Sequence, residues 1–177
     1  MKKSILAIAV FAITLISSTE IAAQKFPKLD LSPLDAASYP SSYKISDKVV
    51  KVVYGRPQLK GRDLAKLAPA DKVWRTGANE APEITFYKDV MFGGKAVKAG
   101  TYSLFTIPAS KGDWTVIIST ARNVWGSYFY KQEEDVVRVS GTVSNSDENI
   151  EAFSMLFDDE MNLKMGWENT IVSVTIE

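Results

Sequence analysis

Thr101-Tyr102-Ser103-Leu104-Phe105-Thr106-Ile107 decides the fold class. The run is rich in β-branched and aromatic residues, which fit a pleated, packed surface. Side chains alternate along a strand, so Tyr102 and Leu104 face one side and Phe105 and Ile107 the other. Gly100 precedes the run and Pro108 ends it. Lys111-Gly112-Asp113 then reads as a turn, and Trp114-Thr115-Val116-Ile117-Ile118 as a second strand. Two strands with so short a link form an antiparallel hairpin.

The same pattern extends outward. Upstream, Glu83-Ile84-Thr85-Phe86-Tyr87 alternates Ile84 and Phe86 with polar neighbours, as a half-buried strand does. Val90-Met91-Phe92 and Lys95 to Lys98 flank Gly93-Gly94, a hairpin turn. Lys48 to Tyr54 reads as a strand stopped by Gly55-Arg56-Pro57. Leu59 to Leu67 reads as a loop with one helical turn, ended by Pro69. Downstream, Asn123 to Tyr130 is aromatic and broken by Gly126, and Lys131 to Asp135 reads as a solvated turn. Val136 to Val143, Ile150 to Phe157, Met161 to Glu168 and Thr170 to Ile176 are the remaining strands. Eight or nine short strands with almost no helix predict an all-β fold, a mostly antiparallel, jelly-roll-like β-sandwich.

Residues 48–177 are expected to form this single domain. Residues 24–47 read as an extended lead-in, because Pro27, Pro33 and Pro40 oppose regular structure and Tyr39 and Tyr43 could pin it to the domain. Residues 1–23 have the layout of a secretory signal peptide: Met1-Lys2-Lys3, an apolar run to Ile16, then small or polar residues, with cleavage after Ala23. The alternative is an uncleaved anchor, but the apolar run is shorter than the roughly 20 residues of a membrane span. The expectation is export, to the periplasm or medium, with no membrane span once the signal is removed.

Two absences restrict the chemistry. The chain has no cysteine, so it has no disulfides, thiol nucleophile or lipid-bearing cysteine. It has no histidine, which excludes Ser-His-Asp catalysis and histidine-ligated metals. Acid–base chemistry would fall to Asp, Glu, Lys or Tyr. Charges balance at 21 basic and 21 acidic residues, and no basic stripe appears, so no nucleic-acid partner is expected. No cofactor and no metal are expected. Asp158-Asp159-Glu160 lacks the spaced acids and glycine of a calcium loop and reads as a solvated turn.

Several motifs together resemble a known family. They are Tyr54-Gly55-Arg56-Pro57, Gly61-Arg62, Val73-Trp74-Arg75-Thr76-Gly77-Ala78-Asn79-Glu80-Ala81, Ala99 to Pro108, and Trp125-Gly126 through Tyr130. In that order they resemble domain-of-unknown-function family 2911, from about Lys48 to the Leu163–Glu168 region. The resemblance implies a secreted or envelope protein of bacteria and carries no catalytic residues. It also implies a serine where Gly55 stands, a departure that touches one turn.

The candidate ligand contacts are Arg56, Arg62, Trp74, Arg75, Asn79, Glu80 and Trp125. A guanidinium can grip a carboxylate, a phosphate or a pair of sugar hydroxyls. Asn79 offers a donor and an acceptor, and Glu80 could hold a hydroxyl or move a proton. The bland alternative is a turn closed by Gly77 and Asn79, with Arg75 paired to a carboxylate. Trp74, Trp125, Tyr128 and Tyr130 could form a stacking platform, or could simply fill the core as Trp114 and Trp167 are expected to. Arg56 and Arg62 could join Arg75 in a cationic pocket, or tie down their own loop. Three functions follow. The first is a binding module for a small polar ligand, a glycan or an envelope protein. The second is a carboxylate-dependent glycan hydrolase using Glu80, and the third a structural protein.

Overall fold

The computed structural model describes residues 26–177, so the expected signal peptide lies outside the described residues. The fold is all-β and antiparallel. The strands are β1 (Leu34–Tyr39), β2 (Val50–Gly55), β3 (Glu83–Phe86), β4 (Val90–Phe92), β5 (Lys95–Val97), β6 (Gly100–Ile107), β7 (Trp114–Ser119), β8 (Asp135–Phe157) and β9 (Leu163–Val174). One helical turn, α1 (Leu64–Leu67), lies between β2 and β3. Seven strands form one sheet in the order β1-β2-β3-β6-β7-β8-β9, and β4 pairs with β5 as a separate hairpin. The expected jelly-roll-like sandwich thus takes the form of a curled meander.

β6 shows why the sheet is covered on both faces. Leu104 is fully buried in the main core with Val52, Ile84, Val116 and Ile118. Phe105, one residue on, points the other way into a small outer core with Ile117 and Ala81, against which Val73, Val124 and Tyr130 pack. Burying a phenylalanine contributes about 1.5–3 kcal/mol, so this outer core holds the loops bearing Val73, Ala81 and Val124 firmly.

The sheet curls into a half-barrel, and the chain after β2 meets the far end of β8. Leu59 N donates to Glu151 O at 3.0 Å, and Phe153 N to Pro57 O at 2.9 Å. Tyr54 adds its ring edge to Phe153 at 5.8 Å, and its hydroxyl accepts from Met155 N at 2.8 Å.

Two pairs of expected strands are each one strand. Residues 136–143 and 150–157 both belong to β8, which pairs with β9 as far as Asn145 opposite Thr170 and again from Ile150 opposite Glu168, with the polar residues between them taking up a register shift. In β9, Leu163, Met165 and Trp167 are buried at odd positions, and Val172 and Val174 at even ones. Glu168, at φ 54°, adopts the left-handed conformation between the two sets, where the register with β8 shifts. An irregularity of this kind moves the buried face by one residue without ending the strand. The lead-in also contributes structure: β1 pairs with β2, and Tyr39 donates to Asp159 O at 3.2 Å, while Tyr43 is exposed.

Candidate functional site

The stretch from Val73 to Ala81 crosses the outer face of the sheet. Trp74 N donates to Thr106 O at 2.7 Å and Thr106 N to Trp74 O at 3.0 Å, which stitches the stretch to β6. Thr76 is fully buried at φ 59°, an uncommon conformation for a β-branched residue. Such a conformation costs on the order of 1–3 kcal/mol and persists only when its surroundings hold it. Here the Thr76 hydroxyl lies 3.1 Å from the Thr106 hydroxyl and 3.3 Å from Trp74 O.

A second loop, residues 120–131, lies beside the first. Ala81 N donates to Val124 O at 3.0 Å, and Gly126 N to Asn79 O at 2.9 Å. Ser127 Oγ donates to Val73 O at 3.0 Å. Tyr130 anchors the loop's far end, with its ring 5.3 Å from Phe105 and its hydroxyl donating to Asp135 Oδ2 at 2.6 Å. Burial first, and then this hydrogen bond, push the Tyr130 pKa up. Burial also raises Asp135, against the opposing pull of Tyr130 and Arg138. The two loops therefore form one hydrogen-bonded surface, which leaves Trp125, Tyr128 and Phe129 exposed at 56%, 79% and 74%.

Arg75 lies within this surface, close to Tyr128. It is half-buried, and its Nε is enclosed without a hydrogen-bond partner. Burial presses its pKa below the ordinary value, and the nearby Tyr128 opposes that shift. Among the described residues no carboxylate pairs with it, so the alternative in which Arg75 is tied to a carboxylate does not hold. Asn79 takes the left-handed conformation at φ 63°, and its backbone carbonyl accepts from Gly126 of the second loop.

Glu80 is exposed and lines a neighbouring cleft of about 190 Å³. Leu34, Val53, Ala81, Glu83 and Asn123 share the lining. Asn123 N donates to Glu83 Oε1 at 3.3 Å. Two carboxylates on an apolar-walled cleft are an arrangement that the linear order of residues does not reveal.

Three candidates lie elsewhere. Trp74 is no platform: it is buried, stacked on Trp167 at 5.5 Å and 13°, with edge contacts to Trp114 and Phe153. Its backbone is at the surface loop, but alternation sends its ring into the main core. Arg56 is engaged by Asp35 at 3.0 Å, Phe153 O at 3.1 Å and Ser154 Oγ at 2.7 Å, so it joins β1 to β8. Arg62 curls back on its own loop, donating to Leu59 O at 2.9 Å and Gln58 O at 2.7 Å. No common cationic pocket with Arg75 results.

Asp158 closes the turn before β9. It accepts from Asn162 N at 2.9 Å and Asn162 Nδ2 at 3.1 Å, and pairs with Lys164 at 3.0 Å. Burial alone would raise its pKa, but these partners outweigh it and bring the value down to about 2. Among the described residues no three acidic side chains gather as a metal site. No helix among the described residues is long and apolar enough to cross a membrane.

No curated protein and no solved structure was found to match the chain. The family described as "Protein of unknown function (DUF2911)" matches residues 32–176. That span takes in every strand from β1 to β9, both surface loops and the cleft. The chain belongs to the DUF2911 family.

Proposed function

We propose that this chain is an exported binding module of the cell envelope, and that it holds a small polar ligand or a glycan on the surface formed by residues 73–81 and 120–131. Arg75 carries the reading. A half-buried guanidinium without a counter-charge is an unfavourable state for a free protein. It is relieved when a ligand supplies the missing acceptor. The exposed rings of Trp125 and Tyr128 on the adjoining loop offer broad, stiff contact area at little entropic cost. The hydrogen bonds between the two loops hold these groups in place before a ligand arrives, which reduces the ordering needed on binding.

Calorimetric titration of residues 24–177 with glycan fragments and small anions tests the proposal. Binding is expected, and it should weaken in Arg75→Gln and Trp125→Ala while both variants stay folded. If neither variant alters binding, the ligand sits elsewhere and the reading fails.

The cleft supports a second reading as a glycan hydrolase. Glu80 and Glu83 line it together, and paired carboxylates are the usual apparatus of glycoside cleavage. Incubation with glycans and an assay for new reducing ends checks it. Activity lost in both Glu80→Gln and Glu83→Gln would favour this reading, and no released ends would remove it.

A further inference from the structure

The proposed binding surface has a chemical preference written into it, and the inference below rests on that reading. Four half-buried or exposed arginines provide the contrast. Arg56 bonds Asp35, Phe153 O and Ser154. Arg62 bonds two carbonyls. Arg138 pairs with Asp135 at 3.5 Å. Arg122 stands in solvent, where water serves it. Arg75 alone combines partial burial with no protein acceptor among the described residues.

Its enclosed Nε also limits how a ligand can approach. The side that would offer Nε is closed, so the guanidinium must be met end-on, through its two terminal nitrogens. A planar carboxylate matches that pair with two parallel hydrogen bonds. The Tyr128 ring packs over Gly126, where an added Cβ would come within 2.8 Å of it. Gly126 N donates to Asn79 O and Ser127 Oγ to Val73 O, so the loop that carries the exposed aromatic residues is bonded to the Arg75 stretch on either side of Arg75. Glu80, in the cleft beside Leu34 and Val53, makes no bond to Arg75. An apolar anion would satisfy the cation and leave the phenol and amide groups idle. A neutral sugar would satisfy the rings and leave the cation bare.

We infer that this surface recognises an acidic saccharide of the hexuronate type, with the ligand carboxylate held end-on by Arg75 and the sugar ring laid on the exposed aromatic residues of the 125–129 loop. The carboxylate of a hexuronate projects from the ring carbon at its edge. A ring stacked on an aromatic face therefore presents its acid sideways, toward a neighbouring cation.

The test uses galacturonate oligomers, the same oligomers fully methyl-esterified, a neutral hexose oligomer and inorganic phosphate. Each is titrated into the parent domain, Arg75→Gln and Trp125→Ala. The free acid should bind about tenfold or more tightly than its ester, since the ester loses a charge-assisted pair. Arg75→Gln should abolish that difference, and Trp125→Ala should weaken acid and ester alike. Arg75→Gln should also melt no lower than the parent, because it removes an unpaired, half-buried charge. A markedly lower melting temperature would show that Arg75 holds the fold and would overturn the inference. Equal binding of acid and ester would overturn it while leaving the binding-module reading intact. Tight binding of phosphate without uronate would overturn it too, and no binding by any saccharide or anion would overturn both.

Discussion

Gly55 at the end of β2 lies so close to Ala78 that a Cβ on Gly55 would overlap the Ala78 carbonyl oxygen. The approach is mutual: a Cβ on Gly77 would stand 2.9 Å from Gly55 O. Family resemblance implies serine at position 55, but in this chain the backbone of the site loop occupies the space a side chain would need. Gly55→Ser should therefore push residues 77–78 off the sheet and destabilise the domain by about 1–3 kcal/mol, the usual range for overpacking. Thermal melting checks it, with a fall of several degrees expected. An unchanged midpoint would mean that the loop yields freely.

Trp74 and Trp125 should separate cleanly. Trp74→Ala removes a ring stacked between core aromatics and should cost about 3–5 kcal/mol. Trp125→Ala changes an exposed loop side chain and should stay within about 0.5 kcal/mol of the parent. Urea denaturation distinguishes the two, and similar losses in both would contradict the placement of either ring.

Arg56→Ala should loosen β1 selectively. The Asp35 pair is partly exposed, so its share is small. The bonds to the β8 backbone and to Ser154 are the greater loss, about 1–3 kcal/mol for groups left without partners. Amide hydrogen exchange in residues 34–39 should accelerate while β6 and β7 keep their protection. Uniform acceleration across the sheet would argue against a local clasp.

Acid should act on two aspartates in opposite directions. Asp158 titrates near 2 when folded, below its ordinary value. Its stabilising contribution is therefore complete above the ordinary carboxylate range and disappears as pH falls toward 2. Asp135 is raised on folding, so its charged form opposes the fold, and that opposition lifts as pH falls through the folded pKa. Asp158→Asn should flatten the acid limb of the stability curve. Asp135→Asn should match or exceed the parent at neutral pH, with the gap closing on acidification. Urea midpoints between about pH 3 and pH 7 decide both, under the linkage relation.

The strands were legible because alternation is local. Leu104 and Phe105 sort to opposite faces in the sequence and do so in the fold. The continuity of β8 was not legible, because Ser144 to Asn149 is polar and breaks the apolar alternation, whereas pairing with β9 resumes at Ile150 after a register shift. Trp74 was misplaced for a related reason: its neighbours belong to a surface loop, and only the distant Trp167 and Phe153 show where its ring goes. The isolation of Arg75 could not be seen at all. Lacking a partner is a property of everything folded around a residue, and Arg75 has carboxylates nearby in sequence at Asp71 and Glu80.

The meeting of Pro57–Leu59 with Glu151–Phe153 also governs the order in which the molecule can assemble. Arg56 and Phe153 are 97 positions apart, and contacts of such long range are slow to form because the intervening chain must first be gathered. β6 and β7 can zip together early, as neighbours across a short turn. β1 and β2 gain their far support only after β8 has been laid down. A chain ending before Glu151 would lack both the β8 partners of Arg56 and the ring on which Trp74 stacks. The N-terminal third of this protein is thus completed by its C-terminal third, and a change in tryptophan emission as Trp74 stacks on Trp167 would mark the moment of closure.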